Sequence, residues 1–262
     1  MSRNPPTASA SGELTPVVVA LHVWGTTNIS KSLLRMGRDR GPVRSLAGCS
    51  FAKLLGTGSG HTFTMRDADL HHWALLTCWT DDDGPARFAA SPPCAAWSAI
   101  ASEEARFLLR PLSSRGRWSS RSPFGDPAPA RWDGAVASLT RARIKPHQWL
   151  RFWRSVPAVA YDANHGDGLL LGLGIGEAPL GLQGTFTVWR NRKVLGDFAY
   201  HRSPHARAVQ QTADLGWYSE ELFARFALLE ATGHYRGQDL RHLVAGSSGD
   251  PGTSVPPPRD GE

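Results

Sequence analysis

The chain has 262 residues, of which 41% are hydrophobic and 20% charged, so it is long enough to bury a substantial core. It holds no run near the roughly 18 apolar residues of a membrane-spanning helix, and it begins without the apolar segment of a secretory signal. The net charge is +6, but the basic residues are scattered, which argues against nucleic-acid binding. Three cysteines without metal-ligand spacing favour a reducing, cytoplasmic location.

Residues 15–110 and 134–229 are similar segments. Each has an apolar stretch, alternating glycines, a strand-like run that ends in tryptophan, and Glu-Glu before Arg-Phe. The matching pairs are 17–24 with 135–144, 55–60 with 171–176, 74–79 with 185–189 and 103–109 with 220–229. Two related halves predict a pseudo-symmetric pair of domains, in which functional residues lie where the halves differ.

Proline, glycine and serine set the predicted domain boundaries. Residues 1–14 and 246–262 are rich in these residues and predict disordered tails, because they bury little apolar surface. Residues 113–133 predict a proline-rich connection, in which Trp118 and Trp132 indicate packing against the rest of the chain. The repeats would then span 15–112 and 134–245.

The elements of each half follow the order strand, helix, strand, strand, helix, strand. The β-branched run at residues 17–24 predicts a strand, and the apolar positions between Pro146 and Pro157 predict a helix. Residues 222–229 fit either periodicity, and we assign a strand because the order requires one. This is the ferredoxin-like order. We therefore expect an α+β fold in which two tandem ferredoxin-like repeats form a core like that of the dimeric α+β barrels.

Both glycine stretches, residues 55–60 and 171–176, read Gly-x-Gly-x-Gly. They lack the Gly-x-Gly-x-x-Gly spacing at a strand-to-helix turn that places a phosphate on a helix N-terminus. We interpret them as glycine-alternating turns that allow a close backbone approach or a bulge. The sequence therefore argues against a dinucleotide-binding fold.

Histidine distinguishes the two halves, since His201 and His205 fall where the first half has residues 91–97. Ser203 and Pro204 predict an N-cap and a first-turn proline, which places His205 in the first turn of a helix. A neutral imidazole there can bind a metal or haem iron, and a surface histidine without a ligand fits the pattern as well.

Other candidate ligands have simpler interpretations. His71 and His72 are adjacent at the start of a strand and face opposite ways, so they cannot easily chelate one ion. The acidic residues 81–83 predict a turn. Ten tryptophans and ten phenylalanines are compatible with a long apolar ligand or a porphyrin, although aromatic packing explains each one singly.

Several blocks resemble the spheroidene monooxygenase family, which ketolates acyclic carotenoids. They are residues 115–119, 123–124, 139–142, 150–154, 174–177 and 216–226, of which the last, Gly-Trp-Tyr-Ser-Glu-Glu-Leu-Phe-Ala-Arg-Phe, is the most specific. The resemblance implies an oxygen-dependent enzyme with a dimeric α+β barrel fold, haem, and a ferredoxin-type electron donor. It also implies that His205 is the axial ligand of the iron.

The leading hypothesis is a haem-dependent monooxygenase that acts on an apolar polyene substrate. Arg117, Arg141 and Arg151 are candidate partners of the haem propionates, because guanidinium groups bind carboxylates through paired hydrogen bonds, and they are equally compatible with solvated positions. Two alternatives remain open: a cofactor-free or haem-degrading oxygenase, and a non-catalytic binder of haem or a carotenoid. We expect peripheral membrane contact, because such a substrate resides in the bilayer.

Overall fold

Strands dominate the computed structural model, which describes residues 16–58, 68–144, 168–177, 184–201 and 218–245. The first half contains β1 (Val18–Thr26), α1 (Ile29–Arg38), α2 (Arg40–Arg44), β2 (Cys49–Gly58), β3 (Ala68–Trp79), α3 (Gly84–Ala89), α4 (Pro92–Ser98) and β4 (Ala101–Gly116). The second half contains β5 (Val136–Ile144), β6 (Leu169–Gly176), β7 (Gly184–Trp189), α5 (Arg192–His201), β8 (Tyr218–Tyr235), β9 (Gln238–Asp239) and α6 (His242–Ala245). The predicted helix at residues 146–156 and both predicted tails lie outside the described residues.

Eight of these strands close into an antiparallel barrel. Their order is β4-β1-β3-β2-β6-β7-β5-β8, and β8 pairs back onto β4. The β4–β8 ladder runs from Ala105 opposite Gly233 to Gly116 opposite Leu222. The α+β class is confirmed, and so is the strand predicted at residues 222–229, which lies within β8. Closure leaves the eight strands no unpaired edge in the ring.

The strand order is the same in the two halves, β4-β1-β3-β2 in the first and β8-β5-β7-β6 in the second. In the first half, α1 and α2 connect β1 to β2, and α3 and α4 connect β3 to β4, which is the predicted succession of elements. Ser91 caps α4 by accepting a hydrogen bond from the backbone N–H of Cys94.

The barrel interior is filled with apolar side chains. Residues alternate across each strand, so Val19, Leu21 and Val23 of β1 all face inward and are buried. Phe107 and Phe186 meet edge to face with their ring centroids 5.3 Å apart. The interior, as far as the described residues form it, is therefore a packed core rather than a channel.

A second core covers the outer face of the first half. It is made of large aromatic residues under α1–α4, and Trp24 stacks on Trp97 with the ring centroids 5.1 Å apart. The strands of this half are consequently buried on both faces, which explains why β1 reads as a continuous apolar run rather than an alternating one.

The described glycines of both stretches lie within strands, so their interpretation as turns is wrong. Residues 55–58 end β2, and residues 171–176 belong to β6. The register of β2 shifts between Gly56 and Thr57, which is the kind of bulge expected of such glycines. At Gly172, however, no described atom lies within 4 Å of the point that a Cβ would occupy, so no close backbone approach explains this glycine.

The segment between the halves carries both strand and core residues. Strand β4 extends to Gly116, and Trp118 and Phe124 beyond it are buried in the barrel core. The indole N–H of Trp132 donates a hydrogen bond to the carbonyl oxygen of Ala135 at 2.8 Å. The domain boundaries drawn from the sequence stay predictions.

Candidate functional site

On the outer face of the second half, β5, β6 and β7 carry small residues in two neighbouring rows. Because Leu171, Leu173 and Ile175 face the interior, the alternation of β6 places Gly172 and Gly174 on the outside. Two cross-strand rows cover this face, and we call them the flat face. They are Phe223–Thr140–Thr185–Gly174 and Arg225–Ser138–Thr187–Gly172.

The corresponding rows of the first half are bulkier and, apart from the half-buried Arg106 and Leu108 of β4, buried. They are Arg106–His22–Leu75–Leu54 and Leu108–Ala20–Thr77–Ala52. The ring of His22 lies 4.8 Å from that of Phe88, and burial, followed by the charge of Arg106, lowers its pKa to about 3. A neutral, enclosed imidazole and large aliphatic side chains leave no space for a ligand on this face.

The flat face has the width of a large flat molecule, and its two glycines differ in exposure: Gly172 is half-buried and Gly174 is buried. Four strands span about 14 Å, at roughly 4.8 Å between neighbours. Apolar residues border it: Trp189 packs on Phe198 of α5 with the ring centroids 4.8 Å apart, and Phe223 is 39% exposed. The level backbone surface beside the exposed Phe223 can accommodate an extended apolar ligand.

A charged cluster closes the barrel next to the C-terminal ends of β5 and β6, and we call it the arginine mouth. Arg141, two residues after inward-facing Leu139, has a side chain only 2% exposed. It donates hydrogen bonds to Glu220 and, at 2.7 Å, to Glu177. Its guanidinium lies 5.6 Å from the ring of Trp118. The guanidinium of Arg141 is therefore held by two carboxylates and an aromatic ring.

Both carboxylates of the arginine mouth are ionised. Burial alone would raise the pKa of Glu177 and Glu220, but hydrogen bonds and neighbouring cations outweigh it and lower both values. For Glu177 the donors are the ammonium of Lys53, at 2.8 Å, and the indole N–H of Trp118. The cluster is an ionic plug in which both carboxylates are paired, although the buried Nε of Arg141 has no hydrogen-bond partner among the described residues.

A second cluster, the histidine mouth, lies near the start of β3 and the end of β8. His72 contacts Asp69 through Nδ1 and Glu103 through Nε2, both at 2.7 Å, and Arg236 donates to Asp69 at 2.9 Å. Burial disfavours the imidazolium, yet the two carboxylates outweigh it and raise the pKa of His72. The adjacent His71 instead contacts the carbonyl oxygen of Thr26.

His71 and His72 thus bind different partners, and within the described ranges no cluster of three or more His, Cys, Asp or Glu side chains is arranged to hold a metal ion. The residues 81–83 form a turn, as predicted, in which Asp81 accepts from the backbone N–H of Asp83.

Comparison with known proteins identifies the chain. No family model matches it. It is 35% identical over 221 residues to the spheroidene monooxygenase of Rhodobacter capsulatus, which covers 82% of this chain and 90% of that protein. The chain belongs to the spheroidene monooxygenase family. It is also 31% identical over 240 residues to the spheroidene monooxygenase of Rubrivivax gelatinosus, with 89% of each chain covered. The protein is therefore a monooxygenase.

One solved structure shares the fold of the enzyme. An aldoxime dehydratase superposes with a TM-score of 0.52 at 13% identity, covering 87% of this chain and 88% of that one. At this identity the likeness shows the fold alone. Among the residues that the structure describes, no helix combines the length and the apolar content needed to cross a bilayer.

The structure brings two of the four predicted site residues to one place. Arg117 is exposed and donates to the carbonyl oxygen of Ser120, whose own N–H donates to Glu220, the partner of Arg141. Arg117 and Arg141 therefore share the arginine mouth. Arg151 and His205 lie outside the described residues. Binding of haem propionates by the three arginines stays a prediction.

Sequence reasoning missed the flat face and both carboxylates of the arginine mouth. A usable signal was present: alternate glycines in β6 occupy positions where β2 has Ala52 and Leu54. Successive residues of a strand face opposite sides of the sheet. Applied to β6, this rule would have shown that the leucines form the core and that the glycines between them lie on the outer face.

Proposed function

We propose that the enzyme inserts oxygen from O₂ into an acyclic carotenoid such as spheroidene, and that it uses haem bound on the flat face. The observation that carries the proposal is the contrast between the small residues on this face and the packed equivalent face of the first half. The relatives' name, spheroidene monooxygenase, supports the substrate class.

The residues of the flat face fit a porphyrin. Space above Gly172 admits a planar group, and Phe223 supplies an exposed apolar border, whereas Trp189 is buried against Phe198. His205, by resemblance, would hold the iron. Arg117 and Arg151 would pair with the propionates, and Arg141 would join them by exchanging its glutamate partners for propionates. When bound, haem supplies the iron that activates O₂.

The chain's own contribution is to bind, orient and exclude water. Thr140 and Thr185 face each other across neighbouring strands and present methyl groups on a rigid sheet. An apolar ring lying on this surface would bury apolar area, worth about 25 cal/mol per Å², without any change in the strands. We expect the sheet to hold the haem in one position and to keep water away from the substrate carbon next to it.

We infer as well that the two halves are tandem ferredoxin-like repeats. The strand order, which is the same in both halves, supports this inference. A hydrogen bond that recurs in both halves supports it as well. The indole N–H of Trp79 donates to Thr77, and that of Trp189 donates to Thr187, each at 2.9 Å. The first repeat would then serve stability and the second would carry the chemistry.

The cofactor is tested by spectroscopy of the purified protein after addition of haem. We expect an absorbance band that is lost or shifted in His205→Ala and unchanged in His234→Ala, which alters an exposed histidine on β8. A protein that stays colourless and still oxidises its substrate would reject the haem assignment.

The flat face is tested with a matched pair of substitutions. Gly172→Ala should leave activity near that of the parent, whereas Gly172→Leu should lower both haem binding and turnover about tenfold or more, because its side chain stands in the ligand's place. The assay supplies isotope-labelled O₂, an acyclic carotenoid and a reduced ferredoxin-type donor, and mass spectrometry reports oxygen in the product. Equal activity of the two variants would exclude the flat face as the site.

A further inference from the structure

Helix α1 exposes both of its leucines while it buries Ser32 beside the apolar Met36. Leu33 and Leu34 are 44% and 60% exposed, whereas Ser32 is buried. The hydroxyl groups of Ser32 and Thr26 lie 2.8 Å apart under the helix. Helices that pack on a sheet normally do the opposite, so the leucines of α1 contribute little to the core of this molecule.

Positive charge surrounds these leucines. The segment contains five cationic side chains, at Lys31, Arg35, Arg38, Arg40 and Arg44. Its single carboxylate, Asp39, is buried and paired with Arg35 at 3.5 Å. Lys31, Arg38 and Arg40 form no ion pair with the parts of the chain that the structure describes, and all three are exposed.

Leucines and cations occupy different sides of α1. At 100° per residue, Leu33 and Leu34 lie on one side of the exposed surface, and Lys31, Arg35 and Arg38 follow on the other. The nearby acidic turn at residues 81–83 lies beside Gly48, beyond the end of α2, and its Asp81 is neutralised by Arg87. Hence α1 is a short basic amphipathic helix with its apolar edge in solvent.

We propose that α1–α2 docks on an anionic lipid bilayer. The leucines enter the boundary between headgroups and acyl chains, and the cations contact the lipid phosphates. Charge complementarity selects an acidic surface, and the pair of adjacent exposed leucines favours a bilayer over an acidic protein. This docking surface belongs to the first half, away from the flat face, and is independent of the cofactor and the substrate.

The experiment measures co-sedimentation of the full chain with phosphatidylcholine vesicles, with and without phosphatidylglycerol. We expect binding only with the anionic lipid, and weakening by salt. Leu33→Ser/Leu34→Ser and Lys31→Gln/Arg38→Gln should each reduce binding by about tenfold or more. Arg131→Gln/Lys193→Gln removes the same charge from exposed positions elsewhere and should bind like the parent.

A second measurement tests whether the leucines enter the bilayer. A polarity-sensitive dye on Leu34→Cys should shift to the blue with anionic vesicles, and labelling at neutral pH favours this exposed thiol because burial raises the pKa of Cys49 to about 11. Equal binding by the leucine variant and the parent, or loss of binding in the control pair, would overturn the proposal. The proposal would also be overturned if the chain did not bind vesicles but bound an acidic protein through the same cations.

Discussion

Glu103 and Glu220 hold equivalent positions at opposite ends of the β4–β8 ladder. Each accepts hydrogen bonds from two successive backbone amides that follow the opposite strand. For Glu103 the donors are Arg236 and Gly237, at 2.8 and 3.1 Å, and for Glu220 they are Ser119 and Ser120, at 3.1 and 2.7 Å. At each end of the barrel, a carboxylate on one of the two long strands, β4 and β8, thus binds the backbone that follows the other.

The cation that faces the carboxylate differs between the two ends. It is His72 at the histidine mouth and Arg141 at the arginine mouth. A guanidinium stays charged at every physiological pH, whereas an imidazolium does not. Only the histidine mouth should therefore respond to pH near neutrality.

Replacing Arg141 should destabilise the fold. In Arg141→Met the glutamates at 177 and 220 lose their shared buried partner, which should lower the free energy of unfolding by about 3 kcal/mol in urea denaturation. Arg106→Met is the control, because Arg106 and Glu230 form a more exposed ion pair that should be worth less than about 1 kcal/mol. Equal losses in the two variants would contradict the idea of a buried plug.

Raising the pH should weaken the histidine mouth. The folded-state pKa of His72 is raised, so its contribution is fully present below the unfolded value of about 6.5 and is lost as pH rises through the folded value. Asp69 and Glu103 have lowered pKa values, so their contributions are lost in acid.

We therefore expect the stability difference between the parent and His72→Gln to be largest at weakly acidic pH and to shrink in mild alkali. Thermal unfolding across this range measures it. A difference that grows as pH rises would show that His72 is neutral in the folded protein.

Three glycines form a graded test of backbone strain. Gly116, Gly233 and Gly237 all have positive φ, at 96°, 82° and 74°. A Cβ at Gly116 or Gly233 would lie 2.2 or 2.0 Å from a carbonyl oxygen, whereas at Gly237 it meets no described atom within 4 Å. Alanine should thus cost about 1 kcal/mol at Gly237 and clearly more at the other two positions. Chemical denaturation would measure the series, and similar losses at all three would rule out the backbone clash.

The repeated tryptophan hydrogen bond allows a matched comparison of the two halves. Thr77→Val and Thr187→Val each remove the acceptor of an indole N–H. Because Thr77 is fully buried and Thr187 is not, we expect a loss of about 2 kcal/mol in the first variant and under about 1 kcal/mol in the second. A larger loss in Thr187→Val than in Thr77→Val would mean that the outer face of the second half is less accessible to water than that of the first half.

Much of the fold could be predicted because it depends on local patterns. Strand β1 could be predicted from its β-branched residues. Strand β8, which contains the Glu-Glu-Leu-Phe-Ala-Arg-Phe block, could be predicted from the order of the elements. The glycines of β6 were misread, since a glycine series is typical of turns and its neighbours give no sign of the pairing that makes it a strand.

By itself the sequence determined the α+β class and the family, and it predicted the duplicated order of elements. Only the tertiary structure decided that β8 closes onto β4, that Arg141 faces the packed interior, and that Gly172 faces outward beside Thr187. The reason is physical: alternation along a strand says that two faces exist, but which one is core depends on strands that are distant in the chain.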